Sequence, residues 1–135
     1  MLNEIIISYW GVLVAAVASF IIGAIWYTLL FGKTWVKLSG VEMGKGKSPA
    51  MLYIINFVAT LIIAWVLAHT IKYSGAGTSV DALMVGFFTW LGYFALATLL
   101  GSILWEGKPF KLYLINAGYW LVNIEVMSLI LALWK

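Results

Sequence analysis

Four apolar runs, at 5–31, 51–73, 82–105 and 111–134, occupy most of this chain and leave it little choice of fold. About 20 apolar residues cross a hydrocarbon core of about 30 Å as a helix, so every run is long enough to span a bilayer. The stretch from Gly11 to Phe31 carries no charge, and neither does Ala82 to Trp105. A soluble helical protein would show a polar stripe recurring every three to four residues. Backbone that is surrounded by lipid must satisfy its own hydrogen bonds, which a helix does within one segment. The expectation is an all-α membrane protein, a four-transmembrane-helix bundle forming one membrane domain over 1–135. With 64% hydrophobic and 10% charged residues, nothing remains for a soluble domain.

The formal charge of +3 comes from lysine alone, and the lysines sit in connections. Lys33, Lys37, Lys45 and Lys47 fall in the 32–50 connection, and Lys108 and Lys111 flank the 106–110 turn; only Lys72 and Lys135 lie on the other side. Lysine excess marks the cytoplasmic side. Both termini and the 74–81 loop are therefore expected outside, in a multi-pass protein of the cell inner (plasma) membrane. Met1-Leu2-Asn3-Glu4 lacks the positive start of a signal peptide, and the run behind it is too long for one, so the first helix should be retained. Lysines scattered over loops do not form the basic face of a nucleic-acid binder. With no cysteine and one histidine there is no metal-ligand set. No nucleophile elbow, phosphate loop or HExxH motif occurs, so neither a cofactor nor an enzyme activity is expected. Tyr9, Trp10, Trp26, Tyr27, Tyr73, Trp105 and Trp134 fall near helix ends, where amphipathic rings mark the headgroup layer.

Punctuation between the runs is explicit. Ser48-Pro49 supplies a capping hydroxyl and a first-turn proline for the second helix. Thr78 and Ser79 precede Asp81 at the start of the third. Gly107-Lys108-Pro109 forces a tight turn that makes the third and fourth helices antiparallel neighbours. Lys33 to Leu38 alternates lysine with apolar residues and reads as a short interfacial amphipathic turn. Leu52-Tyr53-Ile54-Ile55-Asn56 and Leu112-Tyr113-Leu114-Ile115-Asn116 open the second and fourth runs alike. Each follows a helix with a glycine near its end (Gly23, Gly101) and then a Gly-Lys pair, the pattern of two parallel-repeat hairpins.

Apolar helices in lipid associate through close backbone approach along small residues. Gly11, Ala15, Ser19 and Gly23 form such a ridge on the first helix, read as an intramolecular contact with a dimer seam as its rival. Ala97/Gly101 and Thr98/Ser102 repeat the device more weakly on the third. Asn56, Asn116 and Asn123 are expected to hydrogen-bond between helices. Glu125 lies roughly 200° around the fourth helix from Asn123, so polar groups occupy opposite sides of one span. Facing lipid, a central charge costs about 2.5–3.5 kcal/mol. Both sides should therefore meet protein or water, in a homo-oligomer (dimer favoured) or from a central position in the bundle. Glu125 is the candidate ion or proton site, with His69, Tyr93 and Ser128 as candidate partners; His69 on its own reads as interfacial.

The segments Ile22-Gly23-Ala24-Ile25-Trp26-Tyr27, Leu30-Phe31-Gly32-Lys33-Thr34-Trp35, Gly101 to Pro109, and Leu114 to Tyr119 resemble a bacterial family of small four-helix membrane proteins, DUF1761. The resemblance covers nearly the whole chain and implies a four-span protein, without an assigned activity, substrate or catalytic residue. It also implies small or apolar residues at the positions of Asn123 and Glu125, which makes these polar groups particular to this protein or a subgroup. Two functional classes follow: an oligomeric transporter or channel-like protein using Glu125, or a non-catalytic packing or partner-binding subunit of a larger membrane complex.

Overall fold

The computed structural model describes residues 6–40 and 49–134. Lys45, Lys47, Ser48, Lys135 and the Met1–Glu4 segment, and the expectations attached to them, lie outside the described residues. These form five helices: α1 (Tyr9–Leu30), α2 (Gly32–Ser39), α3 (Pro49–Ser74), α4 (Ser79–Trp105) and α5 (Phe110–Leu133). No strand occurs among the described residues. α1, α3, α4 and α5 are each long and apolar enough to cross a membrane. The protein is an all-α bundle of the membrane type.

Local chemistry sets the helix ends. Ser8 caps α1, accepting from Gly11 N–H at 3.2 Å, so that helix begins four residues later than the apolar run does. Pro49 is the first residue of α3. Thr78 caps α4 by accepting from Asp81 N–H at 3.1 Å. Between α4 and α5 the chain turns through Gly107 at φ 65°, and Lys108 N–H closes the turn on Ser102 O at 2.8 Å. The Lys33–Leu38 segment is helical, within α2, and ends at Gly40 in the left-handed conformation (φ 71°).

α5 sits at the centre, packed against α1, α3 and α4, while α4 meets the rest of the bundle almost wholly through α5. Its apolar window is 39% buried, against 22%, 17% and 11% for α1, α3 and α4. The two polar sides of the fourth span are thus met by different helices of the same chain. Of the two sequence-based solutions, the central position is the one seen within the chain, and it leaves Glu125 half-buried.

The ridge Gly11–Ala15–Ser19 is buried, and it faces α5: Trp134 lies against Gly11, and the Tyr119 hydroxyl against Gly23 at the half-buried end of the ridge. The absence of side chains at Gly11 and Gly23 makes room for the Trp134 and Tyr119 rings, an intramolecular use of the ridge.

Neither α1 nor α4 is a uniform α-helix. Ile25–Leu30 of α1, and Trp90–Ala95 and Leu99–Trp105 of α4, are wound as π-helix. Their N–H groups reach five residues back, as in Phe31 to Trp26 O at 2.9 Å and Glu106 to Gly101 O at 2.9 Å. A wider turn changes which residues face the core and advances less per residue along the axis. On α4 the inward positions run Ala82, Gly86, Trp90 and then Ala95, a five-residue step. The expected Ala97/Gly101 ridge is rotated off the interface as a result. Ala97 is exposed, nothing packs within 4 Å of Gly101's Cβ position, and Thr98 and Ser102 face inward instead.

Candidate functional site

Two polar features sit on α5, one inside the bundle and one at its lysine-bearing end. The inner one is built where α5 crosses α4. Gly86 has no side chain, and Glu125 fills the space that leaves. A Cβ on Gly86 would stand 2.1 Å from Glu125 Oε1 and 2.8 Å from Ser128 Oγ, so both oxygens share one small volume against the α4 backbone. Ser128 is 0% exposed. Glu125 as a residue is half-buried, yet its Oε1 is shut off from outside. Towards the other side of α5, Asn123 is 0% exposed, and Ser19 of α1 is 1% exposed. Both Asn123 side-chain polar atoms, Glu125 Oε1 and Ser128 Oγ have no hydrogen-bond partner among the described residues. Each unmet buried polar group costs about 1–3 kcal/mol, so a cluster of them is not a neutral packing choice.

Of the residues read from sequence, Glu125 and Ser128 are brought together and Tyr93 is not. Tyr93 is 85% exposed on the outer face of α4. Counting uniform turns from the loop sets Glu125 level with Thr89–Tyr93, whereas it meets Gly86. The π turns explain the offset, because α4 uses more residues than an α-helix to climb to the same height. His69 also stays apart. Its Nδ1 lies 2.8 Å from Trp65 O, and its ring packs on Trp65 and Tyr73, all within α3. Asn56 is exposed, and no side-chain bond from it to another helix is found among the described residues. Asn116 does make one, accepting from the Tyr27 hydroxyl at 2.7 Å. The two asparagines of the expected repeat therefore differ in environment, although both first helices of the hairpins end in π turns.

Trp26 and Tyr27, read as headgroup markers, turn inward. Trp26 Nε1–H donates to Ile115 O at 3.0 Å, and Trp90 Nε1–H, from α4, donates to Ala117 O at 2.9 Å. α5 is thus clamped by two indoles, and the rings of Tyr27, Tyr119, Trp120 and Phe94 pack around the clamp. The π turn at Ile25–Leu30 is what lets adjacent Trp26 and Tyr27 both reach α5. Tyr9, Trp10, Tyr73 and Trp105 remain exposed near helix ends, as boundary residues should be.

Below this layer, at the loop end, a cleft of ≈ 260 Å³ opens between α1, α4 and α5. Sequence reasoning missed it, since its walls depend on the π turns. Ala95 O, inside one of them, accepts from the Tyr113 hydroxyl at 2.6 Å, and Thr98 Oγ1 donates to Phe94 O at 2.7 Å. No group of three or more acidic, histidine or cysteine side chains that could hold a metal occurs among the described residues.

The fold is that of a small all-α protein with four helices long and apolar enough to cross a membrane, and it carries a polar cluster on α5. Residues 10–132 match the family described as protein of unknown function (DUF1761), and the chain belongs to that family. No curated protein and no solved structure gives a significant match.

Proposed function

We propose that this protein handles a proton or a small cation at the Glu125–Ser128 centre, as an oligomeric transporter or channel-like protein of the cell inner membrane. One observation carries the reading: an acid oxygen and a hydroxyl are held together inside a bundle, against a glycine, without a hydrogen-bond partner. Polar groups kept only to tie helices together would be bonded across the interface, as Tyr27 and Asn116 are. Ionisable groups within membrane spans mark ion and proton pathways. Self-association, as a dimer first, belongs to the same proposal. Glu125 is only half-covered by its own chain, and a second copy against that face would complete the enclosure. The orientation with both termini outside is proposed on the lysine distribution.

The alternative, a non-catalytic packing or partner-binding subunit of a larger membrane complex, rests on the small-residue ridges and the near absence of loops; of these, the α1 ridge is taken up by α5. The test is proton and monovalent-cation flux in proteoliposomes, comparing native protein with Glu125→Gln. Flux that falls at least about tenfold, the usual scale for losing a positioned acid–base group, supports the proposal. Equal flux from a normally folded variant, or no flux from either, refutes it.

A further inference from the structure

We propose that the cleft at the loop end binds the phosphate headgroup of an anionic phospholipid. Ser102, Lys108 and Asn116 are among its lining residues, with the Phe94 and Trp120 rings, 5.5 Å apart, forming an apolar wall. Asn116 Oδ1 is already engaged by Tyr27, which leaves its amide N–H groups as donors. Lys108 is held by Glu106 at 2.9 Å, but both side chains are more than half exposed, and an exposed ion pair is readily exchanged for another anion.

Charge at this end favours an anion further. An adjoining open hollow shares Tyr27 with the cleft and is lined by Lys33 and Lys37 of α2, so these two lysines and Lys108 line neighbouring hollows at one end of the bundle. Leu96, Leu100 and Leu104, on the same helix as the cleft's Thr98 and Ser102, are exposed and can lie along an acyl chain. A free phosphate would use the polar wall alone. A phospholipid uses the polar wall, the rings and the leucines together, so the lipid is the occupant that fits all three.

The experiment is native mass spectrometry of the full chain released from nanodiscs holding equimolar phosphatidylglycerol and phosphatidylcholine. Native protein should retain phosphatidylglycerol preferentially. Lys108→Gln should reduce that preference about fivefold, the Boltzmann factor for one lysine beside an anionic surface. Lys72→Gln, at the opposite end of the bundle, is the control and should leave it unchanged. Equal retention of the two lipids, an unaltered preference in Lys108→Gln, or a loss of preference upon adding inorganic phosphate alone would each overturn the proposal. Because Glu125 is not part of this cleft, Glu125→Gln should retain the lipid normally whatever its effect on flux.

Discussion

Placing a methyl group on Gly86 probes directly whether Glu125 is seated against α4. The added Cβ would stand 2.1 Å from Glu125 Oε1 and 2.8 Å from Ser128 Oγ. Ordinary contact is about 3.5 Å or more, so the carboxyl must retreat by about 1 Å or more. Overfilling a packed site costs about 1–3 kcal/mol. Replacing glycine by alanine within a helix returns about 1 kcal/mol. Gly86→Ala alone is thus expected to destabilise by up to about 2 kcal/mol. With Glu125→Ala already present the nearer obstacle is gone, the Ser128 hydroxyl can rotate away, and only the helix gain of about 1 kcal/mol remains. The two substitutions should therefore couple by about 1–3 kcal/mol, against the few tenths found for independent sites. Reversible unfolding in mixed micelles, run as a double-mutant cycle, measures this. Strict additivity, within about 0.5 kcal/mol, would mean that Glu125 does not occupy the space beside Gly86.

Other substitutions test other parts of the bundle. Asn123→Leu replaces two enclosed, unpartnered polar atoms by an apolar group of similar size; it should stabilise the fold by about 1–3 kcal/mol in the same unfolding assay, and marked destabilisation would show that Asn123 is satisfied. Tyr27→Phe removes the bond to Asn116 and should cost about 0.6–1.7 kcal/mol, the range for interhelical bonds in membranes. Trp90→Phe loses the donor to Ala117 O and should cost about 0.5–1.5 kcal/mol beyond any change in packing. Deleting Leu91 from the π turn should cost more than either. It shifts the inward register of everything between that turn and the loop, and loss of the Tyr113 bond to Ala95 O would appear as a changed tyrosine fluorescence.

Legibility followed the range of the interaction. The cap at Thr78, the start of α3 at Pro49, the Gly107 turn and the helical Lys33–Leu38 segment depend on neighbours a few residues away, and the residue types announce them. The α1 ridge was legible because small residues at four-residue spacing keep one face of a uniform helix. The same count failed on α4. There, Tyr93 and Ala97 point outward because π turns break the 3.6-residue period, and no residue type signals a π turn as proline or glycine signals a bend. Trp26 and Tyr27 were misplaced for the same reason. An aromatic ring near a span's end suits both the headgroup layer and a cross-helix hydrogen bond, and only the winding of α1 selects between them.

Two statements about this protein needed nothing beyond the order of its residues. It forms four bilayer-length helices, because continuous apolar runs this long satisfy their backbone within each segment only as helices; and its fourth span must be covered on both sides, because asparagine and glutamate cannot face lipid at little cost. Tertiary structure decided how that covering is achieved. α5 is enclosed by α1, α3 and α4 of its own chain, Glu125 is set against Gly86 rather than beside His69 or Tyr93, and a cleft opens at the lysine-bearing end. Those outcomes depend on helix phase and rise accumulated over many turns, so a few π-wound residues redirect every contact beyond them.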